Sequence, residues 1–439
     1  MKQILFAIGL ALGLGCSLEA KETLSLKLEP EQNVVLSGVS HEVVVKIDLT
    51  AARTKKKKRS PLNLSVVLDR SGSMSGAKIE QARQAASGLV DQLAEGDIFS
   101  LVVYSTGAQV LVPAQRVEDK EELKRIISRI QSSGNTALYA GVEKGADELE
   151  RYFSHKKINR VILLSDGLAN IGPSSSQDLK RLGHRLAERG ISVTTIGLGD
   201  DYNEDLMAGL AEASDANYYY VKDTEKLPEI FAKELGELLA VVARDVRIEI
   251  ICPQGVTPLG LIGRTEKFEN RKTSVTLSQF TPGQNRYLLL RCLVSENKPE
   301  VARVKVSYKD ELDSGSESLA NGVVKISYTK DRGDAQNSIN NTVVAQKVLM
   351  LTAVAKDEAT LQADTGKLRD ASATLEKQAA ELEAVYSRAP AAEQRQIRAE
   401  SENLKTFNGA LNRGDYNSAT RKDVQSQTYN SRNSKSTAP

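Results

Sequence analysis

Residues 64–76 of the chain are Leu64-Ser65-Val66-Val67-Leu68-Asp69-Arg70-Ser71-Gly72-Ser73-Met74-Ser75-Gly76. An apolar run that is typical of a buried strand ends at the carboxylate of Asp69, and the hydroxyls of Ser71 and Ser73 follow at two-residue steps. The predicted strand therefore delivers these oxygens beyond its C-terminal end, where open α/β sheets bind ligands. Oxygen ligands of this kind suit Mg²⁺, which binds one or two carboxylates and keeps several waters.

The bulk composition describes an ordinary soluble globular protein of two or three domains. The chain has 439 residues, of which 40% are hydrophobic and 26% are charged, and roughly 100–200 residues form one domain. The net charge is +2 at pH 7, aromatic residues make up 5%, and Trp is absent. A chain with so little net positive charge and so few aromatic side chains for stacking is not expected to bind nucleic acid.

The N-terminal residues 1–20 are typical of an export signal. Lys2 precedes an apolar segment, residues 4–14, that is too short to span a bilayer as a helix. Cleavage after Ala20 predicts a protein released into the periplasm or the extracellular space. The alternative is lipidation of Cys16, which would make the protein a membrane-anchored lipoprotein.

Residues 61–240 are predicted to form an α/β domain. Short apolar segments such as residues 64–68 and 161–164 alternate with helical patterns such as residues 77–93 and 137–153. Strands that are apolar on both faces are typical of a doubly wound, mostly parallel sheet with helices on both sides.

The segments on either side of this domain are predicted to form one β-sandwich. Apolar and polar residues alternate in two segments of residues 21–60, and five further strand patterns follow within residues 241–332. Two strands alone would be marginal in water, so we expect the α/β domain to be inserted into a single sandwich.

Cys252 and Cys292 are interpreted as small buried core residues on neighbouring strands, with a disulfide as the alternative. The basic run at residues 55–59 is interpreted as a solvated linker, with an anionic partner or membrane surface as the alternative.

Residues 333–413 are predicted to be helical. A heptad spacing links Leu361, Leu368, Leu375 and Leu382, which predicts a helical hairpin or a short coiled coil. These helices would pack within the chain or, alternatively, bring two copies together. Residues 414–439 lack apolar periodicity and are predicted to be disordered.

Two more segments carry side chains that belong with the opening stretch. Thr136 lies in a loop that opens a helix, and Asp166 follows the apolar strand pattern at residues 161–164. Because parallel strands end at one edge of a sheet, we expect Asp69, Thr136 and Asp166 to lie near one another.

This order of motifs resembles the von Willebrand factor type A domain and its metal-ion-dependent adhesion site, over residues 62–240. The flanking strands and the helical region are similar to those of bacterial exported proteins with this domain. The resemblance implies that Ser71, Ser73 and Thr136 bind Mg²⁺ through hydroxyl oxygens, with Mn²⁺ or Ca²⁺ as alternatives, while Asp69 and Asp166 act largely through water. It also implies a protein ligand that offers an acidic side chain to the metal.

The sequence does not indicate an enzyme. Met74 stands where the nucleophile of a Gly-x-Ser-x-Gly motif would be, and the chain has only 3 His. We therefore expect Mg²⁺-dependent protein–protein binding in cell-envelope adhesion or complex assembly. The alternative is a structural scaffold that self-associates through its C-terminal helices and whose metal site is not functional.

Overall fold

The computed structural model describes residues 22–54, 59–295 and 297–433. The predicted export signal, Cys16 and most of the basic run at residues 55–59 lie outside the described residues. None of the helices in the described ranges has the length and apolar character needed to cross a bilayer.

The chain begins with three strands and then enters the α/β domain. The three strands are β1 (Leu24–Pro30), β2 (Val34–Leu36) and β3 (His41–Ala51). The strands of the α/β domain are β4 (Leu62–Asp69), β5 (Ile98–Tyr104), β6 (Ala108–Arg116), β7 (Ile158–Ser165), β8 (Ser192–Leu198) and β9 (Tyr218–Val221). Its helices are α1 (Ala77–Gln92), α2 (Lys120–Ser128), α3 (Leu138–Glu150), α4 (Ser176–Glu188), α5 (Glu204–Ala213) and α6 (Leu227–Leu239).

The six strands form one sheet in the order β6-β5-β4-β7-β8-β9. All strand pairs are parallel except β5–β6, so the predicted mostly parallel sheet is confirmed, with one antiparallel edge. Every residue of β4 is buried. Val66 and Leu68 face a core shared with α1, α2 and α6, whereas Val67 faces a second core shared with α3, α4 and α5. The apolar run in the sequence thus reflects a central strand covered on both faces.

The strands that follow the α/β domain complete the sandwich together with β1 and β3. Seven strands follow the α/β domain: β10 (Ala243–Ile251), β11 (Val256–Leu261), β12 (Lys272–Phe280), β13 (Asn285–Val294), β14 (Glu300–Asp310), β15 (Ser316–Lys325) and β16 (Ser327–Thr329). Two four-stranded sheets, β1-β3-β13-β11 and β12-β10-β14-β15, enclose one apolar core, and β16 pairs with β2. The predicted sandwich with an inserted α/β domain is therefore present.

Two details of the sandwich differ from expectation. Strand β11 did not show in the sequence pattern because it contains Pro258 and Gly260, and the register with β13 shifts between them. Cys252 and Cys292 are both buried and unbonded, but they do not lie on neighbouring strands, because Cys252 directly follows β10 of one sheet and Cys292 lies on β13 of the other. Their Sγ atoms lie 3.8 Å apart across the core.

The C-terminal region is a helical bundle rather than a hairpin. Its helices are α7 (Arg332–Asn337), α8 (Asn341–Asp364), α9 (Leu368–Tyr386), α10 (Ala391–Arg413) and α11 (Ser418–Arg432). Helix α8 packs against α9, α10 and α11. The heptad interpretation was wrong at its start, because Leu361 is 66% exposed while Leu375 and Leu382 are buried. A turn with Gly366 at φ 79° separates α8 from α9 and breaks the seven-residue register.

The predicted disorder of residues 414–439 was also wrong for the part that the structure describes. Helix α11 begins after Asn417, whose side chain accepts a hydrogen bond from the Thr420 N–H. The ring of Tyr429 is fully buried in the second core of the α/β domain, and its centroid lies 5.5 Å from that of Tyr218. A polar helix of this kind is ordered by docking rather than by its own apolar periodicity, so the sequence pattern did not indicate it.

We expect Tyr429→Ala to release α11, because truncating a fully buried aromatic side chain removes about 3–5 kcal/mol of stability. Tyr429→Phe keeps the ring and loses the hydroxyl's hydrogen bond to the Ala216 carbonyl, so we expect stability to fall by about 1 kcal/mol. Thermal unfolding combined with limited proteolysis near Gly414 measures both effects. Equal protease resistance of α11 in the wild type and in Tyr429→Ala would contradict the prediction.

Candidate metal centre

Three loops meet at the C-terminal edge of the six-stranded sheet. Leu68 pairs with Leu164 in the parallel β4–β7 ladder, so Asp69 and Asp166 leave the sheet close together. The loop before α3 is tied to the loop after β4 by two backbone hydrogen bonds, Ser133 N–H to the Arg70 carbonyl at 2.6 Å and Gly72 N–H to the Gly134 carbonyl at 3.0 Å. The sheet edge therefore holds these loops in fixed positions around one crevice.

The five predicted site residues come together in this crevice. The Oγ atoms of Ser71 and Ser73 are 3.0 Å apart, and Ser73 Oγ donates to Asp166 Oδ1 at 2.7 Å. Gly167 faces the same space, since a Cβ atom placed on it would lie 3.2 Å from Ser73 Oγ, 3.3 Å from Thr136 Oγ1 and 4.0 Å from Ser71 Oγ. Three hydroxyl oxygens thus surround one small space beside the Asp166 carboxylate.

Asp69 lies behind the hydroxyls and is fully buried. Its Oδ1 accepts a hydrogen bond from the Ser71 N–H at 2.8 Å, and its Oδ2 accepts one from Ser165 Oγ at 2.9 Å. Burial raises the pKa of Asp69 from its usual 3.8 to about 6, although the hydrogen bonds from Ser71 and Ser165 oppose that shift. Both carboxylate oxygens are occupied by protein donors, which fits an indirect role rather than direct coordination.

Lys78 is a crevice residue that the sequence did not reveal. Its Nζ lies 2.6 Å from Asp166 Oδ2, and the Asp166 side chain is fully buried while that of Lys78 is 24% exposed. The same ammonium lies 3.9 Å from a Cβ atom placed on Gly199, so Lys78 stands between Asp166 and the loop after β8. Its position in the first turn of α1 was the available signal, because side chains there point back toward the preceding loop.

A second residue that the sequence did not reveal is Asn170, which positions one of the hydroxyls. Its side-chain oxygen accepts a hydrogen bond from the Thr136 N–H at 2.9 Å, and its own N–H donates to the Thr136 carbonyl at 3.1 Å. The loop after β7 thereby fixes Thr136 from both sides.

The donor set of the crevice fits a hard divalent cation. Within residues 22–54, 59–295 and 297–433, no group of three or more His, Cys, Asp or Glu side chains is arranged to hold a metal ion. A cation at this edge would therefore depend on hydroxyl oxygens, water and two carboxylates, which are ligands that Mg²⁺ accepts.

Comparison with known protein families identifies the α/β domain. Residues 63–233 match the family model of the von Willebrand factor type A domain. The chain therefore contains a von Willebrand factor type A domain over those residues.

Two bacterial relatives share more than this domain. The uncharacterized protein YfbK of Escherichia coli is 25% identical over 299 residues, which are 66% of this chain and 52% of that protein. An uncharacterized protein of Synechocystis sp. is 25% identical over 300 residues, 65% of this chain and 70% of its own length. The match thus covers about half of the Escherichia coli relative.

One solved structure shares the overall fold. The structure of a von Willebrand factor type A protein from Catenulispora acidiphila superposes with a TM-score of 0.69 at 20% identity and covers 90% of each chain. Coverage of that extent includes the sandwich and the helical region as well as the α/β domain.

The buried charge of Asp69 predicts a pH-dependent stability of the metal-free protein. Its pKa is higher in the folded state than the usual 3.8, so the native state binds the extra proton and stability falls as pH rises from about 4 to about 6. The free energy of unfolding falls by about 3 kcal/mol over this range, because the pKa of Asp69 differs by about two units between the folded and unfolded states.

Asp69→Asn is expected to abolish this pH dependence and to raise the melting temperature of the metal-free protein at pH 7.5. The amide retains both hydrogen bonds, with its oxygen accepting from the Ser71 N–H and its nitrogen donating to Ser165 Oγ. Thermal unfolding in chelator between pH 4.5 and 7.5 measures the difference. The same pH slope in both proteins would contradict the assignment to Asp69.

Proposed function

We propose that this protein binds a protein partner through a Mg²⁺ ion held at the C-terminal edge of the sheet. The observation that carries the proposal is the convergence of three hydroxyl oxygens beside two buried carboxylates. Ser71, Ser73 and Thr136 would hold the ion directly, and Asp69 and Asp166 would act through water. Mn²⁺ and Ca²⁺ also take oxygen ligands and are the alternative ions.

The charge of the crevice favours an acidic ligand from the partner. A bound ion would supply a Lewis-acidic position for an oxygen ligand from outside the chain. The two carboxylates would by themselves neutralise a divalent cation. The ammonium of Lys78, which lies 2.6 Å from Asp166, adds a positive charge, so the crevice with its ion would be positive. A partner's Asp or Glu carboxylate would neutralise that excess at the open position.

Binding rather than catalysis is proposed because no histidine of the described residues lies in the crevice. The histidines lie elsewhere: His41 begins β3, and His155 and His184 line a cavity at the N-terminal ends of β7 and β8. The hydroxyls in the crevice are therefore not paired with an imidazole, as a nucleophilic serine would need to be.

We also propose that the protein acts in the cell envelope, in adhesion or in assembly of a complex. The support is the export-type segment at residues 1–20 and its two outcomes, release after Ala20 or a lipid anchor at Cys16. In either case the crevice would meet partners outside the cytoplasm.

A scaffold that self-associates through the C-terminal helices is the second candidate. One observation favours it: Leu351, Val354 and Leu361 on α8 are exposed by 36%, 37% and 66%. Partner capture that requires Mg²⁺ would argue against this candidate as the main function, because contacts between these apolar side chains need no metal ion.

We expect Ser71→Ala to lower the affinity for Mg²⁺ by at least about tenfold, because it removes one of the converging hydroxyls. Ser75→Ala is the matched control, since Ser75 is exposed and lies outside the crevice. Calorimetric titration with Mg²⁺ measures the affinities, and capture from envelope extract with Mg²⁺ or chelator measures partner binding. Equal Mg²⁺ affinities for the two variants would refute the proposed ligand set.

Lys78→Met is expected to raise the affinity for Mg²⁺ by several-fold, because it removes a positive charge beside Asp166. Lys78→Arg keeps the charge and is expected to resemble the wild type. Titrations at low ionic strength give the largest difference, since salt screens the repulsion between the ammonium and the ion. An unchanged affinity in Lys78→Met would mean that the ammonium moves away from Asp166 without opposing the metal.

A further inference from the structure

A cleft of about 700 Å³ lies between the sandwich and the helical bundle. Its walls come from the turn between β12 and β13, from Tyr287 of β13, and from helices α8, α10 and α11. None of the residues of the metal crevice line it. We call it the amide cleft, because seven of its fourteen lining residues are Asn or Gln.

The amide cleft is electrically neutral. Glu400 is the one charged residue among those that line it. Its carboxylate forms an ion pair with Lys356, and the same Lys356 ammonium donates to Gln427 Oε1 at 3.0 Å. Lys356 therefore neutralises the Glu400 carboxylate, and the surface that faces the cleft offers amide groups rather than charges.

Several of these amides have hydrogen-bonding capacity left over. Within the described part of the chain, Gln346 Oε1 is buried and accepts no hydrogen bond, while Gln346 Nε2 donates to Glu393 at 3.2 Å. The side-chain amides of Gln396 and Asn430 also line the cleft without a hydrogen bond to any residue that the structure describes. Gln396 is exposed and Asn430 is half-buried, so their amides are the free groups that a ligand in the cleft can reach, whereas Gln346 Oε1 is shielded by its burial.

One wall of the cleft is apolar. Tyr287, Leu349 and Met350 line it, and the ammonium of Lys46 lies 5.2 Å from the centroid of the Tyr287 ring. A ligand for this cleft therefore needs both an apolar surface and groups that donate and accept hydrogen bonds at once.

We propose that the amide cleft binds a neutral saccharide. Sugar hydroxyls donate and accept hydrogen bonds as the carboxamides of Asn and Gln do, and the C–H face of a sugar ring packs on aromatic and aliphatic side chains. A charged ligand is less favoured, since Glu400 is already paired with Lys356 and Lys46 with Asp48. The cleft volume lies within the range of small-ligand sites, about 300–1,000 Å³.

An extended peptide is the less favoured ligand. Peptides that add to a sheet pair with an exposed strand edge, but β13 is bonded on both sides, by β3 and by β11. The cleft therefore offers side-chain amides and no free row of main-chain groups. This inference does not depend on the metal crevice.

The test is titration of the full-length protein with neutral oligosaccharides, namely trimers of N-acetylglucosamine, glucose and mannose, in the presence of chelator. We expect at least one trimer to bind. Gln396→Ala and Asn430→Ala should each weaken that binding, and the double variant should weaken it by about tenfold or more. Gln425→Ala, a change on the same helix as Asn430 but outside the cleft, should leave it unchanged.

Unchanged melting temperatures of the variants would establish that they fold, so a loss of binding can be assigned to the cleft. The proposal is overturned if none of the trimers binds at millimolar concentration. It is also overturned if binding persists in all cleft variants, or if a neutral Gly/Ser tripeptide binds and the sugars do not.

Discussion

Two fully buried carboxylates at one edge of a parallel sheet are the constraint on which the crevice depends. Asp166 is compensated by the Lys78 ammonium at 2.6 Å, whereas Asp69 has only hydrogen bonds from Ser71 and Ser165. At Asp69 the desolvation of the carboxylate outweighs these hydrogen bonds, and the pKa of Asp69 rises to about 6. Backbone hydrogen bonds join the loops around the crevice to one another, and Asp69 is fully buried behind them. A cation at this edge would therefore offset an electrostatic cost that the fold itself imposes.

The C-terminal helix α11 is held to the α/β domain by a combination of charge and one aromatic anchor. Arg421 and Lys422 both bind Glu204, at 2.6 Å and 2.9 Å, and Lys422 and Glu204 are almost fully buried. Buried ion pairs of this kind add little net stability, because desolvation offsets their attraction, but misplacing one partner is strongly unfavourable. The pairs therefore fix the register of α11 on α5, and Tyr429 supplies the apolar contact that holds it there.

The sequence predicted the features that depend on local interactions. It missed the features that depend on contacts between residues far apart in the chain. The strand β4 and the crevice residues were predictable, because an apolar run and side chains at the strand end follow from local periodicity and from the common edge of a parallel sheet. Helix α11 was missed, because its order comes from Tyr429 entering a core more than two hundred residues earlier in the chain. The pairing of Lys78 with Asp166 was missed for the same reason, since a helix residue and a distant strand end meet only in the folded structure. The heptad spacing of the leucines gave a wrong prediction of a continuous seven-residue register, because the turn at Gly366 separates α8 from α9.

One rigid element connects the two candidate binding places. Ser418 at the start of α11 donates to the Asp200 carbonyl at 2.7 Å, in the loop after β8 whose Gly199 borders Lys78. Near its other end, Gln427 and Asn430 line the amide cleft. At 1.5 Å per residue these ends are about 18 Å apart along the helix axis, and a helix transmits a shift of one end to the other with little bending. Helix α11 therefore contacts both the loop that borders the crevice and the amide cleft, so a shift of this helix would alter both places. The ion pair between the buried Lys422 and Glu204 holds the helix on α5 between them.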